Sequence, residues 1–266
     1  MRYNMKLFEI ERERAIAEHE SFKESRDYYD EKKDWKSRET YYNGGPWTRK
    51  KLSSLLKLSH TNQPSYSPHR FLYPWVDLQE DGKLKSLYSG IGMDPVEVIE
   101  EDIRVLELMA KGVQSTGDTS MTLNCEHVVP QSWFSKKEPM RGDLHHLFAC
   151  EPTCNSSRGN FPYHDFVDYI PEQLKARAIK VGCGKAEKGK FEPEYGKGIV
   201  ARATLYFLLR YGGIINQDNV NLALLLEWHR QFPVSLYEKH RNQAIFQVQG
   251  NRNPYIDFPE MAGDWT

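Results

Sequence analysis

Between Met121 and Tyr163 the chain breaks into short apolar runs separated by polar turns, and no other stretch restricts its fold so closely. MTLNCEHVVPQSWF and GDLHHLFAC read as short strands divided by a polar loop, and TCNSSRGN can open a short helix. Strand, loop, strand and helix therefore follow within about forty residues.

The flanking sequence is mostly helical in pattern. Asp94 can cap a helix with Pro95 at its first position, and Gly112 can end it. Ile99, Ile103, Leu106 and Ala110 recur along it at helical spacing. GIVARATLYFLLRYG is apolar around most of its circumference, which predicts a buried helix, and NVNLALLLEWHRQF predicts a second. Ser235 and Glu238 form a capping box for a third. Phe71–Leu78, aromatic and β-branched before the Asp81-Gly82 turn, reads as a strand. The fold class expected is α+β, a mostly helical domain enclosing a small antiparallel ββα unit. It spans residues 70–262, with residues 1–69 as an N-terminal extension and linker. Mixed charge over residues 1–44, 10 Lys and Arg against 11 Asp and Glu, suggests a solvated helix or a loosely attached segment. Tyr42–Ser67, rich in Gly, Pro, Ser and Asn, reads as a connector.

The chain of 266 residues has a formal net charge of -1, so any nucleic-acid site has to be a local patch. Leu174–Thr204 supplies one, with eight Lys and Arg against three Glu, although a solvated loop has the same composition. No window approaches the ~18 apolar residues of a membrane span. The N-terminus lacks the apolar core of a secretory signal, so the chain as written reads as cytoplasmic, with a secreted mature form as the alternative. Four cysteines, at 125, 150, 154 and 183, are sparse for a disulfide scaffold and are expected to be reduced and buried.

Phosphodiester hydrolysis needs a base for the attacking water and positive charge for the phosphoryl and leaving oxygens. A histidine suits the first task and a divalent cation the second. Mg²⁺ prefers oxygen ligands and keeps several waters, so one carboxylate and one amide oxygen can hold it. Asn124–Asn160 gathers this inventory: Glu126 and His127 are adjacent, Asn155 follows, and Arg141, Asp143, His145, His146 and Arg158 lie between or beside them.

Together EHVVPQSWF, MRGDLHHLFA and CNSSRGNFPY closely resemble the bacterial endonuclease I family of non-specific nucleases, built on a ββα-metal (His-Me) finger. YPWVDLQEDGKLKSLYSG, FEPEYGKGIVARATLYFLLRY and PVSLYEKHRNQAIFQVQGNRNPYIDFPE extend the likeness over roughly residues 70–260. The resemblance implies His127 as general base and Glu126 and Asn155 as ligands of one divalent cation, Mg²⁺ or alternatively Mn²⁺. Some relatives carry an acidic residue where this chain has Arg141, so a general acid is not identified there, while a cation can stabilise the phosphate or leaving oxygen. Arg158 is a phosphate contact by chemistry alone. Asp143, His145 and His146 are supporting residues, and Asp143 can hold one of the imidazoles in a fixed tautomer. Arg202, Arg241 and Arg252 are candidate substrate contacts. The partners implied are DNA, with RNA as a further substrate, and an inhibitor protein is a further candidate.

A strand running straight through Glu126 and His127 sends their side chains to opposite faces. The strand is therefore expected to end or bulge there, with Pro130 close behind. An unbroken ladder would withdraw one of the two roles. Rival readings are a zinc-stabilised binding module on Cys125, His127, Cys150 and Cys154, a degenerate family member serving as an interaction protein, and a hydrolase using Cys125 as nucleophile.

Overall fold

The computed structural model describes residues 2–113, 123–169 and 182–265. Ten helices and three two-stranded antiparallel sheets occur among them. Helices α1 (Arg2–Ser25), α2 (Glu31–Tyr41), α3 (Arg49–Ser59) and α4 (Pro68–Phe71) come first. Strands β1 (Leu84–Lys85) and β2 (Gly92–Met93) precede α5 (Pro95–Ala110). The central unit is β3 (Cys125–His127), β4 (Leu147–Ala149) and α6 (Pro152–Arg158). Then follow β5 (Gly184–Glu187), β6 (Lys190–Pro193), α7 (Lys197–Arg210), α8 (Leu222–Gln231), α9 (Leu236–Gln249) and α10 (Pro254–Asp257). Among the described residues no helix is long and apolar enough to cross a membrane.

Local chemistry sets the helix ends as expected. Asp94 accepts from the backbone of Val96 and Glu97 at the start of α5, and Ser235 and Glu238 form a complete capping box on α9. Every residue of α7 from Lys197 to Phe207 is buried, in keeping with its all-round apolar surface.

Two expectations fail. Phe71–Leu78 is not a strand: α4 runs on into a π-helical turn over Leu72–Val76, whose side chains are all buried. The aromatic and β-branched content reflects burial on all sides, which strands and core helices share. Tyr42–Ser67 is not merely a connector, because it contains α3, whose Leu52 and Leu56 pack with Leu205, Tyr206 and Leu209 of α7. The N-terminal segment is likewise attached to the core. Ala15 and Phe22 of α1 are buried with Trp75, Val98 and Ile99, and Asp34 of α2 ion-pairs with Arg252.

A two-stranded hairpin is marginal alone, and β3–β4 gains its support by lying between two apolar clusters. Cys125, Leu147 and Ala149 face the one built from α1, α5 and α9, with Val98, Ile103 and Ile245. Val128, Phe148 and Cys150 face the other, with Tyr88, Tyr163, Ala203 and Trp228.

Candidate active site at the free edge of the central hairpin

The register pairs Cys125 with Ala149, Glu126 with Phe148 and His127 with Leu147. Bonds from Val128 N to His146 O (3.0 Å) and from Cys150 N to Asn124 O (3.0 Å) carry the pairing beyond both ends. The expected end or bulge at Glu126-His127 is therefore absent. Glu126 projects to the side of Tyr88, Tyr163 and Arg158, and His127 to the side of Tyr66, Phe134 and His146.

In the same ladder the carbonyls of Cys125 and His127 point away from β4. Their partners come from α6: Asn155 Nδ2 donates to Cys125 O at 2.9 Å, and Arg158 donates to His127 O at 3.3 Å. Residues 155 and 158 lie one helical turn apart and share a face, so α6 docks along the strand's free edge through these two side chains.

His127 is 4% exposed. Its Nε2 lies 2.9 Å from the Arg141 carbonyl. A carbonyl only accepts, so Nε2 carries the proton and Nδ1 keeps the lone pair. Burial, reinforced by His146, holds the imidazole well below its ordinary pKa and hence neutral. That is the protonation state a base needs. The Arg141 backbone thus fixes the tautomer of His127, while Asp143 instead accepts from Tyr206, Tyr211, Gln249 and the His145 backbone N–H.

Glu126 is buried and already has partners. Tyr88 donates to its Oε1 at 2.7 Å, and the Arg158 guanidinium lies 3.0 Å from the same oxygen. Burial pushes its carboxyl up to about 7 against the pull of Arg158 and Tyr88. With the ladder unbroken, the Glu126 carboxylate is turned to a resident guanidinium on the face opposite the His127 ring, so as placed it is engaged and not turned to that histidine. Asn155 fits a cation better. Its Nδ2 is committed to Cys125 O, which leaves Oδ1 as an acceptor. A carboxylate and an amide oxygen beside one strand edge are a donor set suited to Mg²⁺ or Mn²⁺. Among the described residues no group of three or more His, Cys, Asp and Glu side chains can hold a metal.

The sequence of the whole chain points the same way as the hairpin. It matches the Endonuclease I family over residues 48–260. The chain belongs to that family. It is 32% identical over 160 residues to an extracellular ribonuclease of Bacillus amyloliquefaciens, covering 53% of each chain. It is 33% identical over 121 residues to an extracellular deoxyribonuclease of Aeromonas hydrophila, covering 44% of this chain and 50% of that one. An Endonuclease-1 of Buchnera aphidicola is 27% identical over 121 residues. The chain spans about half the length of these relatives. The family match starts within the segment that reads as a connector and takes in α3.

Within this Endonuclease I domain the arginines divide sharply. Arg158 is fully buried, bonded to Glu126 and to the carbonyls of His127 and Val128, so it braces the strand edge and is not open to a phosphate. Arg202 pairs with Glu238, Arg241 with Asp77, and Arg252 with Asp34 and Asp257, all of them buried. The expectation that these three contact substrate is corrected, since each guanidinium is enclosed with its own acid. Arg141 differs. It is half-buried, its Nε donates to Gln131 at 3.0 Å, and no carboxylate pairs with it among the described residues. The imidazoles of His145 and His146 reach the Asn251 and Met140 carbonyls, which gives both a supporting place.

The basic stretch is largely neutralised where it is described. Lys185 pairs with Asp168 and Glu187, and Lys197 with Asp165 and Glu192. Lys175, Arg177 and Lys180 lie outside the described residues. Cys154 and Cys183 form a disulfide that ties α6 to the start of β5, so the expectation of four reduced thiols holds for Cys125 and Cys150 alone. The same bond removes Cys154 from a zinc tetrad. Cys125 is buried, and burial pushes its thiol well above its ordinary pKa, which unfits it as a nucleophile.

Sequence reasoning missed Tyr66, Tyr88, Tyr163 and Gln131. Tyrosines and a glutamine carry no signal of their own, and their importance comes from what the fold sets beside them.

Proposed function

We propose that this protein is an endonuclease that hydrolyses phosphodiester bonds in DNA, and in RNA as a second substrate, without reading sequence. The observation that carries the reading is the docking of α6 on the edge of β3, which sets Asn155 on the strand that carries a neutral histidine whose Nδ1 keeps its lone pair. His127 takes the proton of the attacking water at Nδ1, and the Arg141 carbonyl keeps the ring oriented through Nε2–H. Arg141, with no carboxylate partner among the described residues, supplies positive charge for the phosphoryl or leaving oxygen. A divalent cation, when bound, would add Lewis-acid stabilisation of the phosphate. Asn155, through Oδ1, and Glu126, released from Arg158, would hold it.

Binding without sequence reading rests on phosphate contacts and is expected to weaken with salt. The Cys154–Cys183 bond favours an oxidising compartment, in line with the secreted alternative.

The test is nicking of supercoiled plasmid by the purified protein in Mg²⁺, in Mn²⁺ and in EDTA, alongside His127→Ala. Wild type is expected to cut only with metal, and the folded variant to be slower by roughly 10²–10⁴-fold. Absence of cutting with either ion sinks the nuclease reading. Full activity in His127→Ala sinks the base assignment.

A further inference from the structure

Residues 60–67 cross the face of the hairpin from which His127 projects. The segment is anchored at one end by Asn62, whose backbone N bonds Gln249 O at 3.3 Å and whose side chain bonds Val248 O at 2.8 Å. It then passes so close to Gly142 that a Cβ there would collide with the Pro64 carbonyl. This path delivers Tyr66 onto the imidazole. The Tyr66 ring centre lies 4.9 Å from that of His127, tilted by 42°. On the same tyrosine ring, the Arg141 guanidinium carbon lies 5.0 Å from the centroid. Phe134 and His146 stand around the imidazole at ring distances of 6.4 and 5.5 Å.

From this stack we infer that Tyr66 is a positioning residue for the cleavage reaction, holding the His127 imidazole and the Arg141 guanidinium in one geometry through its ring. Nε2 of His127 is pinned by the Arg141 carbonyl, but a single hydrogen bond leaves the ring free to rotate about it. The tyrosine face removes that freedom. It also gives Arg141 a cation–π partner in place of a carboxylate. An acid would neutralise the guanidinium, whereas an aromatic ring fixes its place and leaves its charge available to a phosphate. Gln131 completes the hold through the Arg141 Nε. Geometry of this kind matters to rate because small displacements of reacting groups are costly.

The inference rests on His127 as the base, which the plasmid assay with His127→Ala settles separately. Its own test compares Tyr66→Phe, Tyr66→Leu, Arg141→Ala and the Tyr66→Leu/Arg141→Ala double variant on a short duplex in Mg²⁺, reading kcat and KM. Tyr66→Phe keeps the ring and should retain wild-type kcat. Tyr66→Leu should lose kcat on the order of 10²-fold with KM nearly unchanged. The double variant should lose less than the product of the two single losses, since both act through one stack. As a second readout, carbethoxylation of His127, followed by peptide mass mapping, should be faster in Tyr66→Leu than in wild type or Tyr66→Phe. Wild-type kcat in Tyr66→Leu, equal damage in Tyr66→Phe and Tyr66→Leu, or fully multiplicative losses would each overturn the inference. If Tyr66→Leu does not fold, Tyr66→Met, which also removes the ring, takes its place in both readouts, with the same results upholding or overturning the inference.

Discussion

The corner where α2, α9 and α10 meet and the free edge of β3 both depend on arginine, in opposite ways. At the corner Arg252 is enclosed by Asp34 and Asp257, with bonds of 2.6 to 2.8 Å. A guanidinium removed from water needs its charge matched, and two carboxylates do so through Nε and Nη2, while Nη1 is buried without a hydrogen-bond partner among the described residues. At the strand edge Arg141 keeps contact with water and rests on a tyrosine ring and a glutamine oxygen. The first arrangement spends the charge on holding three segments together. The second leaves it available. Composition does not separate the two, since both are arginines in polar sequence near the same motifs.

Exchanging the roles should therefore fail in opposite directions. Arg252→Met leaves Asp34 and Asp257 buried without their partner, and should lower unfolding stability by about 3–5 kcal/mol. Urea denaturation followed by fluorescence measures this, and the fraction still folded should cut at the wild-type rate. Arg141→Ala should leave stability within about 0.5 kcal/mol and reduce kcat by roughly 10²–10³-fold. A stable Arg252→Met that cuts slowly would reverse the comparison.

A smaller effect should come from the disulfide, which belongs to the strand edge alone. Cys154 precedes Asn155 on a helix of seven residues, too short to be stable by itself, and the bond joins it to Cys183. Cys154→Ser should cost about 2–4 kcal/mol. It should also raise the Mg²⁺ concentration needed for half-maximal cutting, because Asn155 loses part of its support. An unchanged Mg²⁺ requirement would show that the Asn155–Cys125 bond alone places the amide.

How much of this was legible in sequence differs between the two regions. The helices around α7, α8 and α9 were readable because caps and apolar periodicity are local signals. The strand–loop–strand–helix order was readable because it sits in one contiguous block, the block that also holds His127 and Asn155, the residues proposed for the site. The π-helical turn at Leu72–Val76 was not, since burial on every side erases periodicity. The buried pairs of Arg202, Arg241 and Arg252 join residues 5 to 218 positions apart, and nothing local marks an arginine as spoken for. Tyr66 reaches His127 across 61 positions of sequence from a stretch that reads as a connector, so its place came only from the folded chain.

The smallest expected effect concerns His145, which joins the two regions. Its Nε2 lies 3.3 Å from the Asn251 carbonyl beside Arg252, and its ring packs 4.3 Å from Tyr206. Burial pushes its pKa down to about 4, although Asp143 pulls the other way. In the unfolded chain a histidine titrates near 6.5. Between about 4 and 6.5 the unfolded state therefore holds a proton that the folded state does not. The stability this ring contributes is complete above pH 6.5 and declines as the pH falls, by about 1.4 kcal/mol per pH unit inside that window. His145→Gln keeps a donor at the Nε2 position for Asn251 O and removes the titration. Urea midpoints at pH 7, 6 and 5 should fall less steeply in this variant than in wild type. Identical slopes would mean that the ring takes up its proton in the folded protein, with Asp143 outweighing burial, and the strand edge and the arginine corner would then be joined by an ion pair in place of a neutral hydrogen bond.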